Sequence, residues 1–140
     1  MEIQKIKIIN HISVEDFISL RQTANFQSLS YEQAKQVLER TAYIAAAYLD
    51  GKTIGVTRLL FDYGTDAYIT DVIVNPEYQG HGIGRLLVED VLNYIRSNSF
   101  SEVRVACNLY ANQGKETFYK KLGFSTLSNE KYGHGMLMEI

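Results

Sequence analysis

The sequence predicts an α/β fold, in which helices flank a mixed, mostly antiparallel sheet. Three observations lead to this prediction. The pair Asp50-Gly51 separates two apolar runs and is a strong hairpin signal. A short apolar run that ends at Asn75-Pro76 is followed by alternating glycines within residues 80–84 and then by a helix with one apolar face. A second apolar run, residues 103–109, has the length of a buried strand.

The first part of the chain is predicted to hold one strand and two helices. Polar and apolar residues alternate over residues 3–9, which is typical of a strand. Ser13 precedes two acidic residues and is a good N-cap for a helix to about Thr23. Ser30 is a second N-cap, for a helix that reaches about Arg40.

The remaining elements follow from apolar runs and the turns between them. Three antiparallel strands are predicted over residues 43–49, 53–61 and 67–74. The helix after the glycines, the strand at 103–109 and a helix that begins at Asn112 come next. Two closing strands are predicted at residues 124–127 and 135–139, so the order is β-α-α-β-β-β-α-β-α-β-β.

Length and composition are typical of one globular domain covering residues 1–140. A formal net charge of −2 gives no reason to expect a nucleic-acid partner. No apolar run approaches about 18 residues, and the first residues lack a signal-peptide layout, so no membrane association is expected. The single cysteine, Cys107, agrees with a reducing cytoplasm and is expected to be core packing.

The glycine loop has the composition of an anion site. Glycines let the backbone approach a ligand closely, and the first turn of the following helix offers free N–H groups and a favourable dipole. A P-loop is excluded because Arg85-Leu86 follows Gly84 where Lys-Ser or Lys-Thr is required. A dinucleotide fingerprint is excluded by the G-x-G-x-G spacing and by Arg104 at the position that needs an acid.

The pattern Gln-x-x-Gly-x-Gly, read as Gln79, Gly82 and Gly84 after Val74-Asn75-Pro76, resembles the acetyl-CoA loop of the GNAT-type N-acetyltransferase superfamily. A second stretch resembles the same superfamily: Asn112 stands seven residues before the tyrosine of Phe-Tyr-Lys-Lys-Leu-Gly-Phe. The predicted order of elements matches the GNAT fold along the whole chain, with the specific part in residues 69–124. Lys115 departs from the family, which often has alanine there.

The resemblance implies that acetyl-CoA is the co-substrate. In the family, the strand pairs through its backbone with the pantetheine amides, the loop amides hold the pyrophosphate, and the asparagine contacts CoA. A backbone N–H near Ile73 is the expected oxyanion donor. The residues that carry over to CoA binding are Val72, Ile73, Val74, Gln79, Gly80, His81, Gly82, Ile83, Gly84, Arg85 and Asn112.

Two side chains are candidate catalytic residues. Tyr119 corresponds to the family tyrosine near the CoA sulfur, where a phenol could protonate the leaving thiolate; its alternative is a core aromatic. Asp71 stands where the family often carries an acid and could accept the amine proton, with water as the other acceptor; its alternative is a strand-end aspartate without catalytic duty. His81 is interpreted as a loop residue and His134 as a possible pocket residue, and neither has a second ligand at metal spacing, so no metal is expected.

These residues predict a cytoplasmic N-acetyltransferase that acetylates a primary amine. A small-molecule acceptor is favoured because the chain shows no charged tract suited to a polymer. Acetylation of a protein or peptide is the alternative within the enzyme class, and a non-catalytic CoA-binding sensor is the alternative outside it. A homodimer is expected because the closing strands would leave a sheet edge, and such edges are often paired or covered.

Overall fold

A computed structural model describes residues 2–140. The chain forms two compact units, of which the first ends at Leu109 and the second is Tyr110–Ile140. The first unit contains a five-stranded sheet whose strands are β1 (Lys7–Ile9), β2 (Tyr43–Leu49), β3 (Lys52–Phe61), β4 (Asp66–Val74) and β5 (Ala106–Asn108). The four strands β1 to β4 pair antiparallel in sequence order, and β5 pairs parallel to β4. The predicted mixed, mostly antiparallel sheet is therefore confirmed.

Three helices of the first unit are α1 (Val14–Thr23), α2 (Tyr31–Glu39) and α3 (Ile83–Ser97). Their starts follow the local sequence. The Ser13 hydroxyl accepts from the Asp16 amide. Ser30 and Gln33 form a reciprocal capping box, since each side chain accepts from the other's backbone N–H. Both predicted N-caps are confirmed, and short 3₁₀ turns occur at Ile3–Lys5 and Pro76–Tyr78.

The helices cover both faces of the sheet. On one face Phe17 of α1 and Ala34 of α2 pack with Val56 and Ile73 from the sheet, all nearly inaccessible to water. The opposite face belongs to α3, which approaches so closely at Gly55 that a Cβ there would lie 3.1 Å from both the Ile73 carbonyl oxygen and the Leu87 side chain. This close contact fixes the start of α3 against the middle strands.

The second unit differs from the prediction in two ways. The helix expected from Asn112 begins later, as α4 (Glu116–Lys121). The two predicted closing strands are wrong, because residues 124–127 and 135–139, all described, form no strand. The residues that lie between these two segments form local hydrogen bonds instead. The Asn129 amide donates to the Tyr132 carbonyl, and the Asn129 side chain accepts from the Lys131 and Tyr132 amides. The apolar side chains of Met136 and Met138 are 97% and 80% exposed, so no packing favours a strand there.

The division into two compact units does not test the prediction of one domain over residues 1–140, which stays a prediction. No helix in the described part of the chain is long and apolar enough to cross a membrane.

Candidate active site

The end of β4 has one free edge. β5 pairs with β4 only over Asp66–Tyr68, whereas β3 follows β4 on its other side as far as Val74. Within the described residues, no strand pairs with the β5-facing edge of β4 beyond Tyr68. An extended ligand with amide groups can add to such an edge as a further strand does.

Backbone groups, rather than side chains, are available on this segment. The Ile73 side chain is 3% exposed and belongs to the core cluster under α1. Val72 and Val74 are half-buried. The Val74 carbonyl accepts a hydrogen bond of 3.0 Å from the side-chain amide of Gln79. Gln79, predicted as a cofactor contact, therefore ties the loop back to the end of β4.

The loop that follows has the backbone shape its glycines allow. Gly80 and Gly82 have φ values of +84° and +82°, a region that side chains with a Cβ disfavour. A Cβ added at either glycine would meet no atom within 4 Å, so space lies open above the loop. A ligand could approach the backbone closely at both positions.

Gly82 is also the N-cap of α3. Its carbonyl accepts from the Leu86 amide, and no side chain of the described residues caps this helix start. The backbone N–H groups of the first turn, from Ile83 to Arg85 and so with the predicted residue Gly84 among them, form the positive end of the helix dipole. The sequence and the geometry together give a start of α3 suited to a phosphate.

The charged side chains of the loop lie at its surface. Arg85 donates to Glu89 one turn later at 2.8 Å, and both side chains are well exposed. His81 is exposed as well. Neither is fixed by burial, so both can reorient toward a ligand.

Asp71 is not a free carboxylate. Nη1 of Arg21 lies 3.0 Å from each of its oxygens, and Nε of Arg58 lies 2.6 Å from Oδ2. The Asp71 side chain is only 7% exposed, and the two arginine side chains are 13% and 12% exposed. We call this group the Arg21–Asp71–Arg58 cluster. A base must give up these charge-assisted bonds to take a proton, so the contacts oppose the predicted proton-acceptor role, which stays a prediction.

The second unit contains the other two predicted residues. Asn112 is exposed in the turn before α4, and its carbonyl accepts from the Lys115 amide. Tyr119 lies in α4 and is half-buried between Phe118 and Phe124, with ring centroids 4.9 and 5.9 Å away. Burial raises the pKa of the Tyr119 phenol, so the hydroxyl keeps its proton at neutral pH. No hydrogen bond of this hydroxyl to a described residue is present, which leaves its proton free to donate.

The histidines and Cys107 show no arrangement for separate chemistry. His134 is exposed like His81, and residues 2–140 contain no group of three metal-ligating side chains. Burial raises the pKa of the Cys107 thiol to about 11, so it is a poor nucleophile at neutral pH.

The arginine partners of Asp71 were missed from the sequence. Arg21 is separated from Asp71 by 50 positions and Arg58 by 13 positions. One signal was available: Arg58 is the only charge inside the apolar stretch from residue 53 to 61, which indicates that it needs a partner on a neighbouring strand.

Comparison with known proteins agrees with this geometry. Residues 6–124 match the model of the acetyltransferase (GNAT) family, so the chain belongs to that family. A crystal structure of a probable acetyltransferase of unknown function from methicillin-resistant Staphylococcus aureus superposes with a TM-score of 0.83 at 28% identity, over 96% of this chain and 99% of that one.

Two plant proteins are similar over part of the chain. Histone acetyltransferase TAP1 of Glycine max is 33% identical over 73 residues, which are 52% of this chain and 30% of that protein. Serotonin N-acetyltransferase 2, chloroplastic, of Oryza sativa is 29% identical over 98 residues, 67% of this chain and 47% of that protein. This chain thus spans less than half the length of these curated relatives.

Proposed function

We propose that this protein transfers the acetyl group of acetyl-CoA to a primary amine of a small molecule. The single observation that carries the proposal is the junction of β4 and α3. There an unpaired strand edge leads through Gly80 and Gly82 into a helix start without a side-chain cap, within a chain of the acetyltransferase (GNAT) family.

The residues present fit acetyl-CoA. The backbone of Val72–Val74 is available to the pantetheine amides, and the amides of residues 79–85 to the pyrophosphate. The open space over Gly80 and Gly82 permits close approach of the phosphates. A backbone N–H near Ile73 is the proposed donor to the thioester oxygen. Asn112 is proposed as a further contact on the strength of the sequence motif.

Acetyl-CoA supplies an activated acetyl group: the amine nitrogen forms a bond to the carbonyl carbon, and the carbon–sulfur bond breaks. Tyr119 gives its phenolic proton to the departing sulfur and regains one from solvent. For an unperturbed phenol and thiol this transfer is uphill by about 2 kcal/mol, and burial of Tyr119 adds to it. The cost is acceptable because the thiolate is generated during the step and the phenolate is rapidly reprotonated.

The amine must also lose a proton, since an alkylammonium is mostly charged at pH 7. Of the two acceptors considered, Asp71 and water, we propose water, because both Asp71 oxygens already accept from arginines. The overall reaction thus converts an ammonium and acetyl-CoA into an amide, free CoA and one proton released to solvent.

The Tyr119 role is tested by Tyr119→Phe, which keeps the ring between Phe118 and Phe124 and removes only the donor. A positioned acid contributes about 10²–10⁴-fold, so we expect the single-turnover rate to fall by that factor with acetyl-CoA affinity unchanged. Tyr31→Phe, which removes an exposed hydroxyl, is the matched control. A wild-type rate in the folded Tyr119→Phe protein would return Tyr119 to the role of a core aromatic.

The acceptor class is tested with a panel of small amines, peptides and histone tails, with CoA release as the signal. The names of the two plant relatives specify different acceptors, serotonin and histones. We favour the small amine because the chain has no charged tract suited to a polymer. Release with peptides alone would establish protein acetylation, and binding of acetyl-CoA without release for any acceptor would establish a CoA sensor.

We propose a cytoplasmic location on the sequence argument alone. The homodimer also stays a proposal, although the closing strands whose edge suggested it do not form. The rice relative is named as chloroplastic, and the dimer is tested by light scattering of the purified protein. A monomer at high concentration would contradict the dimer and leave the site unaffected.

A further inference from the structure

The Arg21–Asp71–Arg58 cluster lies where β4 departs from regular pairing. On either side of this point Arg58 pairs with Thr70 and Val56 pairs with Ile73. Two residues of β4, Asp71 and Val72, therefore face the single residue Thr57 of β3. This is a β-bulge, a feature that re-aims the strand beyond it.

The bulge has a backbone shape that is uncommon for a residue with a Cβ, although aspartate adopts it more readily than most. Asp71 has φ of +52°, in the left-handed region that is disfavoured for a residue with a Cβ. Such a conformation persists when surrounding contacts determine it. The contacts here are the three arginine bonds to the Asp71 carboxylate and a bond of 3.1 Å from the buried Thr57 hydroxyl to the Thr70 carbonyl.

The same arginines reach two other segments, the loop after α1 and the residues after α2. Nη2 of Arg21 donates to the Gln27 carbonyl in the loop after α1, and Nη1 of Arg58 donates to the Thr41 hydroxyl after α2. The Arg21 guanidinium also lies 5.5 and 5.4 Å from the rings of Phe17 and Phe26. The bulge is thereby fastened to the helical layer that covers this face of the sheet.

The chemistry of the cluster suits a fixed clamp better than a proton acceptor. Arginine forms rigid, planar contacts and stays charged, and two of them surround one carboxylate. The Nε of Arg21 is buried without a hydrogen-bond partner among the described residues. If the Asp71 carboxylate moved out of this site, the two guanidinium groups would remain buried without a counterion. The carboxylate is therefore held in place.

We infer that Arg21 and Arg58 are positioning residues that act through Asp71. The Arg21–Asp71–Arg58 cluster acts as a clamp: it fixes the bulge of β4 and with it the backbone of Val72–Val74, which follows Asp71 directly. This inference rests on the proposed function, since it assigns to the clamp the placement of the backbone that receives the thioester. A small misplacement of reacting groups lowers a rate by up to about 100-fold.

The test compares Arg21→Gln and Arg58→Gln with wild type in single-turnover acetylation from pH 6 to pH 10. We expect both variants to lose about 10- to 100-fold in rate at every pH, with the acid limb of the profile unmoved and Arg58→Lys recovering only part of the loss. Lys35→Gln, which breaks an exposed ion pair, and Ile95→Val, which perturbs the core under α3, are controls expected to keep the wild-type rate.

The opposite result is equally specific. If Asp71 accepts the proton, removal of an arginine changes the charge beside it, so the acid limb of the pH–rate profile moves and the rate recovers at high pH. That outcome, or wild-type rates in both variants, would overturn the clamp.

A measurement without turnover separates this inference from the proposed function. Amide hydrogen exchange of residues 70–74 should be faster in Arg58→Gln than in wild type and unchanged in Lys35→Gln. Faster exchange in a protein that transfers no acetyl group would support the clamp and refute the proposed function. Unchanged exchange would refute the clamp whatever the activity.

Discussion

The substitution Gly82→Ala separates the cost of backbone strain from the cost of blocking a ligand. Gly82 has φ of +82°, and a Cβ there would meet no protein atom within 4 Å. The added methyl therefore causes no clash. The free energy of unfolding falls only by the cost of a left-handed backbone at a residue with a Cβ, about 1–2 kcal/mol. For a domain of this size we expect the melting temperature to fall by roughly 3–6 °C without ligand.

Gly51→Ala is the matched control for this strain. Gly51 turns the β2–β3 hairpin with φ of +79°, and a Cβ there would be 3.8 Å from the Tyr48 hydroxyl, an ordinary contact. The two variants should therefore lose similar stability without ligand. Only Gly82→Ala places a methyl group in the space proposed for the pyrophosphate.

The assay is thermal unfolding with and without acetyl-CoA. At 100 times the wild-type Kd, acetyl-CoA stabilises wild type and Gly51→Ala by about 2.7 kcal/mol. If Gly82→Ala weakens binding 100-fold, the same concentration stabilises it by only about 0.4 kcal/mol. Equal ligand-induced shifts in the two variants would refute the placement of the ligand over Gly82.

Three further predictions concern packing, reactivity and pH. Gly55→Val should destabilise the fold by about 1–3 kcal/mol in chemical denaturation, because the new side chain collides with the Ile73 carbonyl and Leu87; an unchanged midpoint would contradict the packing of α3. Cys107, with its pKa raised to about 11 by burial, should react with iodoacetamide at pH 8 far more slowly than free cysteine, and rapid labelling would show that the thiol is accessible. Backbone amides, chiefly that of Asp66, lower the pKa of the Asp62 carboxyl. Its contribution to stability is therefore present above the unfolded-state pKa and lost as pH falls through the folded one, so Asp62→Asn should reduce the acid sensitivity of unfolding below about pH 4.

Elements with a local cause were predicted well from the sequence. The capping box at Ser30, the hairpin at Asp50-Gly51 and the helix start at Gly82 each depend on residues within a few positions of one another. Local hydrogen bonds and backbone preferences decide such features whatever the rest of the chain does. Strands β2 to β4 and the first three helices therefore lie close to their expected bounds. The strand predicted over residues 3–9 is confined to Lys7–Ile9, and the one predicted over residues 103–109 to Ala106–Asn108.

The second unit shows where this reasoning fails. Residues 135–139 have the apolar character of a strand, yet a strand needs a partner edge to bond its backbone and a surface to bury its side chains. Neither requirement can be read from a short apolar run. The predicted helix start at Asn112 failed for a different reason, since Gly114 takes φ of +86° and delays the helix to Glu116.

In the candidate site, too, the features determined by nearby residues were predictable from the sequence, and those determined by distant residues were not. The ligand contacts proposed for the loop are backbone groups, so glycine spacing and the helix start were sufficient to predict its shape. The chemistry of Asp71 depends instead on Arg21 and Arg58, which come from another helix and another strand. The resemblance to the family made Asp71 a candidate proton acceptor, with water as the other acceptor and a strand-end aspartate as the alternative. The two buried guanidinium groups at 3.0 and 2.6 Å favour a fixed anion there. A carboxylate in a predicted active site is therefore interpreted correctly only when every cation that reaches it is known.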